Sequence, residues 1–542
     1  MALPLNVLPR YLIFALLFIA VSARAALHDD VDALLAARAG THAIAGPADD
    51  AEFLRRAWLD FDGGVPSAAE ARAFLDDVAP DKRARLLETL LAAPRFPERM
   101  AEAFDVMLME RRGPNREWRE WLLASFRENK PWDRMVREML APDFFDEKQR
   151  GAGWFMTRRL DKVGQQETDY AGLTRDVGRL FMGVDLQCAQ CHSHLTVKDY
   201  KQQDFNGLFV AFRNASLQPA DEKRKTQWLS EGAFIARAEF VSVLTDKKGV
   251  TGPRVPFGEE VEVPPLTGGE AWLTKPDRKT KEIGIPRFSP LKEIADRLPA
   301  PTNAFFARNI VNRVWWLLMG RGLVEPLDLQ HSGNPASHPE LLELLAKELI
   351  THHFDLRWLV RELALTKAYQ RAGSLEPAAD ELCLTARERH LTSEQQMRAF
   401  LLATGEMERV ERNAKADEKD DLKRYTLADF EKAFQAALAN AAKEPELQPT
   451  PSLRSALFFR NSDHVQWALR PRAGNLMARV QALSDTSAMA EELYLSVLTR
   501  RPDADEQVAF AAWMEKHGAD RPKALSDFAW ALFSSSEWFV NH

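Results

Sequence analysis

Residues 118–140, WREWLLASFRENKPWDRMVREML, carry the strongest fold signal in this chain. Large apolar side chains recur there at intervals of three and four residues, which is the spacing of one face of an α-helix. The stripe consists of Trp118, Trp121, Leu122, Trp132, Met135, Val136 and Met139. Because helix faces commonly bury such side chains, we expect these residues to pack in a core and not to bind a cofactor.

The same helical spacing recurs along most of the chain. It continues in residues 83–91, 170–190, 305–319 and 488–539. Ser67 followed by Glu70 has the pattern of a capping box, and Ser337 followed by Glu340 repeats it. Gly320 follows residues 305–319 and is expected to end their helix. The sequence therefore predicts a mainly α fold.

One segment with a different pattern interrupts the helical chain. Residues 234–285 begin with alternating apolar positions and contain turn signals at Gly252 and Gly268, which predict a small β insertion. We therefore expect a multi-helical two-part protein with this small β insertion. The predicted segments are a signal peptide in 1–25, a helical domain in 26–233, the β insertion and linker in 234–285, and a helical C-terminal domain in 286–542.

Composition describes a large globular protein without a basic surface. The 542 residues are 46% hydrophobic and include 14 Trp, which is enough apolar material for more than one core. The formal net charge is -7, so the chain has no general electrostatic attraction to phosphate. Nucleic acid is therefore not an expected partner.

The N-terminus has the pattern of an export signal. Arg10 precedes an apolar run over residues 11–21, and Ala23 and Ala25 supply a small-x-small cleavage pattern. The apolar run is about half as long as a bilayer-spanning helix, so no permanent membrane span is expected. The mature protein is predicted to start near Ala26 and to be periplasmic or extracellular.

Residues 188–192, CAQCH, form the most specific chemical motif. In the pattern CxxCH, two thiols form thioethers to the vinyl groups of a haem and the adjacent imidazole binds the iron. Cys188 and Cys191 are two of only three cysteines in the chain. We predict that both attach haem c and that His192 is the proximal iron ligand. The helix predicted over 170–190 is expected to present the two cysteines near its C-terminal end.

The same residues allow other interpretations. Cys188, Cys191 and His194, with or without His192, have the residue types of a compact zinc site. A disulfide between the two cysteines is a further alternative, and so are two unligated thiols. If haem is bound, the distal ligand has to come from elsewhere, because His194 is too close in sequence to reach the opposite haem face.

Several polar residues in the back half have more than one interpretation. His331 and His338 bracket a short loop that either lines a cleft or serves in capping and loop packing. Asn312 and Arg313 lie within an apolar helix, where pairing with buried acidic residues is favoured over substrate binding. Ser462 is expected to cap a helix. No nucleotide-binding loop, nucleophile elbow or HExxH motif is present.

Several segments together resemble a known family. In the front half these are residues 59–75 (LDFDGGVPSAAEARAFL), 118–140 and 183–212, which include CAQCHSHLTVKDY. In the back half they are 303–324 (NAFFARNIVNRVWWLLMGRGLV), 334–342, 451–462 (PSLRSALFFRNS) and 533–542 (FSSSEWFVNH). The chain resembles secreted two-part proteins that are abundant in planctomycetes and verrucomicrobia.

The resemblance implies a planctomycete cytochrome c-like domain in residues 26–233 and a second domain of unknown function in 286–542, without implying a particular activity. The usual family motif has an Asp between the two histidines, whereas this chain has Ser193 between His192 and His194.

We therefore expect an exported, cytochrome c-like protein with a single haem, acting in electron transfer or another redox role toward a redox partner protein or a small molecule. The alternative is a non-haem extracellular binding or scaffold protein, related to polysaccharide, in which the cluster holds zinc or a disulfide. The sequence does not assign enzymatic activity.

Overall fold

The computed structural model of the 542-residue chain describes residues 26–162, 167–195, 197–277, 279–280, 282–373, 380–412, 425–444 and 453–541. The predicted export signal, residues 1–25, lies outside these ranges. Within them, no helix combines the length and apolar character needed to cross a bilayer.

Helices dominate the described chain, so the predicted mainly α fold is confirmed. The front part contains α1 (Leu27–Ala39), α2 (Asp50–Phe61), α3 (Ala68–Asp76), α4 (Lys82–Ala92), α5 (Arg95–Met109), α6 (Arg116–Arg127), α7 (Trp132–Leu140), α8 (Trp154–Leu160), α9 (Tyr170–Met182) and α10 (Gln202–Arg213).

The rest of the chain is also helical. It contains α11 (Pro290–Arg297), α12 (Ala304–Met319), α13 (Pro339–Thr351), α14 (Leu356–Leu365), α15 (Ser393–Thr404), α16 (Met407–Glu411), α17 (Leu427–Leu438), α18 (Leu453–Asn461), α19 (Asp463–Ala468), α20 (Leu476–Ala482), α21 (Thr486–Leu498), α22 (Ala504–His517) and α23 (Arg521–Phe533).

The strands form four antiparallel two-stranded sheets. The pairs are β1 (Ala215–Gln218) with β2 (Trp228–Glu231), β3 (Ala238–Val241) with β4 (Lys248–Thr251), β5 (Trp272–Thr274) with β6 (Ile285–Pro286), and β7 (Arg389–His390) with β8 (Val540–Asn541). The small β insertion is thus present, but its strands begin at Ala215 and not at 234. The four-residue strand β1 is too short to show a period in the sequence.

The aromatic stripe of residues 118–140 packs as predicted. It forms α6 and α7, and its apolar side chains are buried in one large core. Asn115 caps α6 by accepting a hydrogen bond from the Trp118 backbone N–H at 2.9 Å. Asn129 has a positive φ of 50°, which separates the two helices.

Two predicted helix ends differ in the structure. The helix over 170–190 ends at Met182, because Gly183 adopts a left-handed conformation with φ of 66°. The Gly183 N–H bonds the Arg179 carbonyl and the Val184 N–H bonds the Gly178 carbonyl, which closes the helix. The second predicted capping box is also wrong: His338 is the N-cap of α13, without a side-chain cap, and Pro339 begins the helix.

Other predicted helix ends are confirmed. Ser67 and Glu70 form the expected capping box of α3. Gly320 ends α12 in a left-handed conformation with φ of 77°. Ser462 caps α19 by accepting from the His464 N–H.

The apolar cores divide the chain at a place that the sequence pattern did not indicate. The first core contains buried side chains from Leu27 to Tyr369, and it includes α12, α13 and α14. The second contains Leu59 and Val65 together with side chains from Leu391 to Trp538. The predicted boundary at 286 therefore falls inside the first core.

Candidate functional site

A short buried segment lies between the end of α9 and the CxxCH motif. Gly183, Val184 and Leu186 are all buried, and the chain then emerges at the surface. Arg175 on α9 donates from Nη1 to the Oε1 atom of Gln190 at 2.9 Å, which ties the helix to the motif. The motif thus begins from a fixed base.

Residues of the back half hold this base. Gln330 donates its backbone N–H to the Gly183 carbonyl at 2.8 Å and its side-chain Nε2 to the Met182 carbonyl at 2.9 Å. Asn309 on α12 donates Nδ2 to the Leu180 carbonyl at 2.7 Å. Two of the last carbonyls of α9, which lack helical partners, are therefore satisfied from the other half of the chain.

The motif itself is a single turn of 3₁₀ helix at Cys188–Gln190. The backbone N–H groups of Cys191 and His192 both lie 3.3 Å from the Cys188 carbonyl oxygen. Ala189 is completely buried, whereas Cys188 and Cys191 are exposed. Both thiols are free in the structure, so they are accessible at one edge of the turn.

The ring of His192 has a defined orientation. Its Nδ1 atom lies 2.8 Å from the Ser193 carbonyl oxygen. Because a carbonyl can only accept a hydrogen bond, Nδ1 carries the proton in this arrangement. The lone pair of the neutral ring is then on Nε2, which is the tautomer that binds a metal through Nε2.

His194 makes contacts of a different kind from those of His192. Its ring atom Nδ1 accepts a hydrogen bond from the Val197 N–H at 3.0 Å, and its backbone N–H donates to the Tyr200 carbonyl. Its ring meets the Tyr200 ring edge-on, with the centroids 6.1 Å apart. His194 therefore stabilises the loop that follows the motif.

Tyr200 joins this loop to the back half. Its buried ring contacts His331 edge-on at a centroid distance of 5.5 Å, and its hydroxyl donates to the Gln330 carbonyl at 3.1 Å. Asp199 accepts a hydrogen bond from the Ser332 N–H at 2.6 Å. The loop that starts at His331 thus packs against the segment that follows the motif.

The electrostatics of this junction follow from burial and from these contacts. Burial lowers the pKa of His331, His194 adds to that effect, and Asp199 opposes it. The hydrogen bonds from Ser332 lower the pKa of Asp199. Burial raises the pKa of Tyr200 well above its usual range. At neutral pH the junction thus holds a carboxylate, a neutral phenol and a histidine that resists protonation.

A network of charges lies behind α9. Its arginines are Arg112, Arg159, Arg179 and Arg313, and its acids are Glu110, Asp176 and Asp328. Asp176 accepts from Arg112 at 2.6 Å, from Arg159 at 2.8 Å and from Arg179 at 3.0 Å. Burial raises the pKa of Asp176, but Arg159, Arg179 and Arg112 outweigh this effect and lower it to about 2.

Arg313 extends the network into the back half, as the preference for acidic pairing predicted. It forms an ion pair with Asp328 and donates to the Arg179 carbonyl at 2.8 Å. Asn312 instead bonds the backbone of Val324 twice. Its Nδ2 donates to the Val324 carbonyl at 2.8 Å, and its Oδ1 accepts from the Val324 N–H at 2.9 Å. Both residues are structural.

His338 lies away from the motif and is almost completely buried. Its Nδ1 lies 3.0 Å from the Ser337 hydroxyl. Burial lowers its pKa to about 4, and Arg38 adds to this effect. His338 therefore belongs to the loop packing and not to the exposed site.

The residues present are compatible with the attachment of a haem. Two exposed thiols flank one turn, and the adjacent imidazole has the required tautomer. Within the described ranges, no group of three or more His, Cys, Asp and Glu side chains has the arrangement of a metal site. His194, which the zinc interpretation needs, uses its Nδ1 in the loop.

Comparison with known families divides the chain in two. Residues 30–216 match PSCyt2, described as a protein of unknown function (DUF1549), and residues 292–514 match PSD1, described as a protein of unknown function (DUF1553). Each half of the chain therefore matches a different family model. The two-part resemblance is thereby confirmed. No curated protein and no solved structure shows significant similarity to the chain.

The sequence analysis did not identify the residues that join the two families. Gln330, Asn309 and Tyr200 carry the contacts between the motif and the back half. Asn309 stands three residues before Asn312, in an otherwise apolar helix, and this polar pair was the available signal. For Gln330 and Tyr200 no pattern in a single sequence indicates a long-range contact.

Proposed function

We propose that this protein is an exported, cytochrome c-like protein that carries one haem attached to Cys188 and Cys191 and that it acts in electron transfer. The observation that carries the proposal is the geometry of residues 188–192: two free, exposed thiols on one 3₁₀ turn, next to an imidazole that presents Nε2. This is the donor set that the CxxCH motif requires.

The attachment chemistry would join the two thiols of the motif to the two vinyl groups of the haem. Each thiol would add across one vinyl group of the haem: the S–H bond and the vinyl double bond would break, the sulfur would bond one vinyl carbon, and the thiol hydrogen would go to the other. No oxidant or reductant is consumed in this addition. The exposure of both cysteines leaves this edge of the turn accessible to a large planar group.

His192 serves as the iron ligand in this proposal. The Ser193 carbonyl accepts a hydrogen bond from Nδ1–H, which orients the ring and increases the electron donation from Nε2. A bound haem iron supplies one-electron transfer. The usual family motif has Asp in place of Ser193. That side chain is not needed in this arrangement, because the acceptor is the backbone carbonyl of residue 193.

The back half has a positioning role in this proposal. Gln330 and Asn309 hold the end of α9, and Tyr200 fixes the loop behind the motif. A fixed base reduces the rearrangement that accompanies a change of iron charge. The electron partner is a protein or a small molecule that reaches the exposed edge of the motif.

The test is covalent haem retention after maturation. The full chain is exported from a host that has a c-type maturation system, extracted with acid and organic solvent, and examined as the pyridine haemochrome. We expect an α-band in the wild-type protein and its loss in the double variant Cys188→Ser, Cys191→Ser. Cys383→Ser, which changes the third cysteine of the chain, is the matched control and should retain the band.

The outcome that contradicts the proposal is a folded, exported wild-type protein without covalent haem. Zinc bound in a 1:1 ratio in that preparation, and lost in the double cysteine variant, would support the alternative binding or scaffold function. His192→Ala should change the iron spectrum while covalent haem persists, with the exposed His42→Ala as its control.

A further inference from the structure

The β3–β4 hairpin has one face against the protein and one face without a cover. On the inner side, Ser242 and Thr251 are buried, and Gln202 of α10 donates Nε2 to the Val241 carbonyl at 3.2 Å. Val241 pairs with Lys248 and Val250 pairs with Glu239, so the two valines share the outer face. Both are about half exposed.

The tip of this hairpin is also apolar and exposed. Val243 is 67% exposed and Leu244 is 53% exposed. The turn is held by hydrogen bonds between Ser242 and Lys247 and between Asp246 and Ser242. These two adjacent aliphatic side chains form a small apolar patch, and an apolar group that covered them would remove that area from water.

The tip lies directly against the CxxCH motif. The Val243 N–H donates to the Cys191 carbonyl at 3.1 Å. The backbone of the hairpin tip and the backbone of Cys191 are therefore neighbours, although about fifty residues separate them in sequence. Leu195, which follows the motif in sequence, is also exposed, at 75%.

We propose that the hairpin tip, Val243 and Leu244, is an apolar wall that packs against the porphyrin attached at Cys188 and Cys191. This inference rests on the proposed function. A porphyrin is the occupant because it is a large apolar group that these thiols would fix beside Val243. The wall would exclude water from one side of the ring.

The physical consequence is a change in reduction potential. Removing water lowers the local dielectric response, and this disfavours the oxidised iron, which carries the greater positive charge. The wall therefore raises the reduction potential of the haem. A polar tip would admit water and lower the potential.

The test compares two double variants of the full chain, both matured with haem. Val243→Thr with Leu244→Asn makes the tip polar. Val508→Thr with Leu273→Asn makes the same changes at similarly exposed positions on α22 and β5. We expect a lower reduction potential in the tip variant and a wild-type potential in the control, with both proteins retaining covalent haem.

Hydrogen exchange supplies a second measurement that needs no substitution. Amides around Val243 and Leu244 should exchange more slowly in the haem-loaded protein than in the Cys188→Ser, Cys191→Ser protein. Equal exchange in both forms, or equal potentials in both double variants, would overturn the wall while leaving haem attachment intact. A wild-type protein without covalent haem would overturn the proposed function and the wall together.

Discussion

Two short segments that adjoin in sequence are held in opposite ways. Residues 183–186 are mostly buried and are bonded to Gln330 and Leu329 of the back half. Residues 188–195 include four exposed residues, Cys188, Cys191, Ser193 and Leu195. They are held by hydrogen bonds within their own turn, by Arg175 of α9, by the Tyr200 carbonyl and by one contact to the hairpin. The comparison shows that residues from both halves of the chain hold the base of the motif, whereas Cys188 and Cys191 remain exposed.

The largest loss of stability is expected from a substitution in the buried charge network around Asp176 of α9. Asp176→Asn leaves Arg112, Arg159 and Arg179 with reduced compensation in a buried setting. Breaking a buried ion pair from one side costs about 3–5 kcal/mol. We expect a loss of that size in the free energy of unfolding, measured by urea denaturation at pH 7.

Asp527→Asn is the control for this variant. Asp527 forms an exposed pair with Lys523 one helical turn away, and such pairs contribute little to stability. Equal effects of the two substitutions would show that the network does not stabilise the base.

A smaller loss is expected at the glycine that ends α9. A Cβ at Gly183 would lie 2.9 Å from Oδ1 of Asn309 and 3.2 Å from the Leu327 carbonyl, at a positive φ that disfavours alanine. We expect Gly183→Ala to destabilise the protein by about 2 kcal/mol in the same assay. Gly474→Ala, also at positive φ but with no atom within 4 Å of the added Cβ, should cost less.

The stability of the protein should also depend on pH through the buried His338. Its folded pKa of about 4 lies below the ordinary value of about 6.5, so the unfolded chain binds the proton first. Its contribution to stability is present above pH 6.5 and is lost as the pH falls toward 4. We expect about 1–2 kcal/mol from this group.

The measurement is unfolding free energy between pH 7 and pH 4 for the wild type and His338→Gln. The wild type should lose more stability across this window than the variant does. The exposed His42→Gln protein should follow the wild type. Parallel curves for wild type and His338→Gln would contradict the assignment.

The smallest effect is expected on the exposed side. Leu195 is 75% exposed, so Leu195→Asn should change the unfolding free energy by less than about 0.5 kcal/mol. A loss comparable to that of Gly183→Ala would mean that the exposed segment is packed in solution, and the contrast between the two segments would fail.

The sequence predicted the helices well where one face is strongly apolar, as in α6, α7 and α12. It missed the end of α9, although Gly183 gives the same local signal as Gly320, a glycine that ends a helix in the left-handed conformation. The motif was visible as CAQCH. The position of the hairpin beside Cys191 was not, because β3 and β4 are too short to reveal what they pack against.

The division of the apolar cores was hidden for a related reason. Helical periodicity shows which face is buried but not which partner buries it. The α12 side chains Ile310 and Val314 pack in the same core as Leu180 of α9, and this places the first part of the back half with the front half. The sequence boundary at 286 contains no information about that pairing.

The central claim is tested most directly by mass spectrometry of the peptide that contains residues 188–192. The wild-type protein is matured in a host with a c-type maturation system and digested with a protease. The account predicts one peptide that carries haem on both Cys188 and Cys191. The same peptide recovered from folded protein with two unmodified thiols, or with a disulfide, would contradict it.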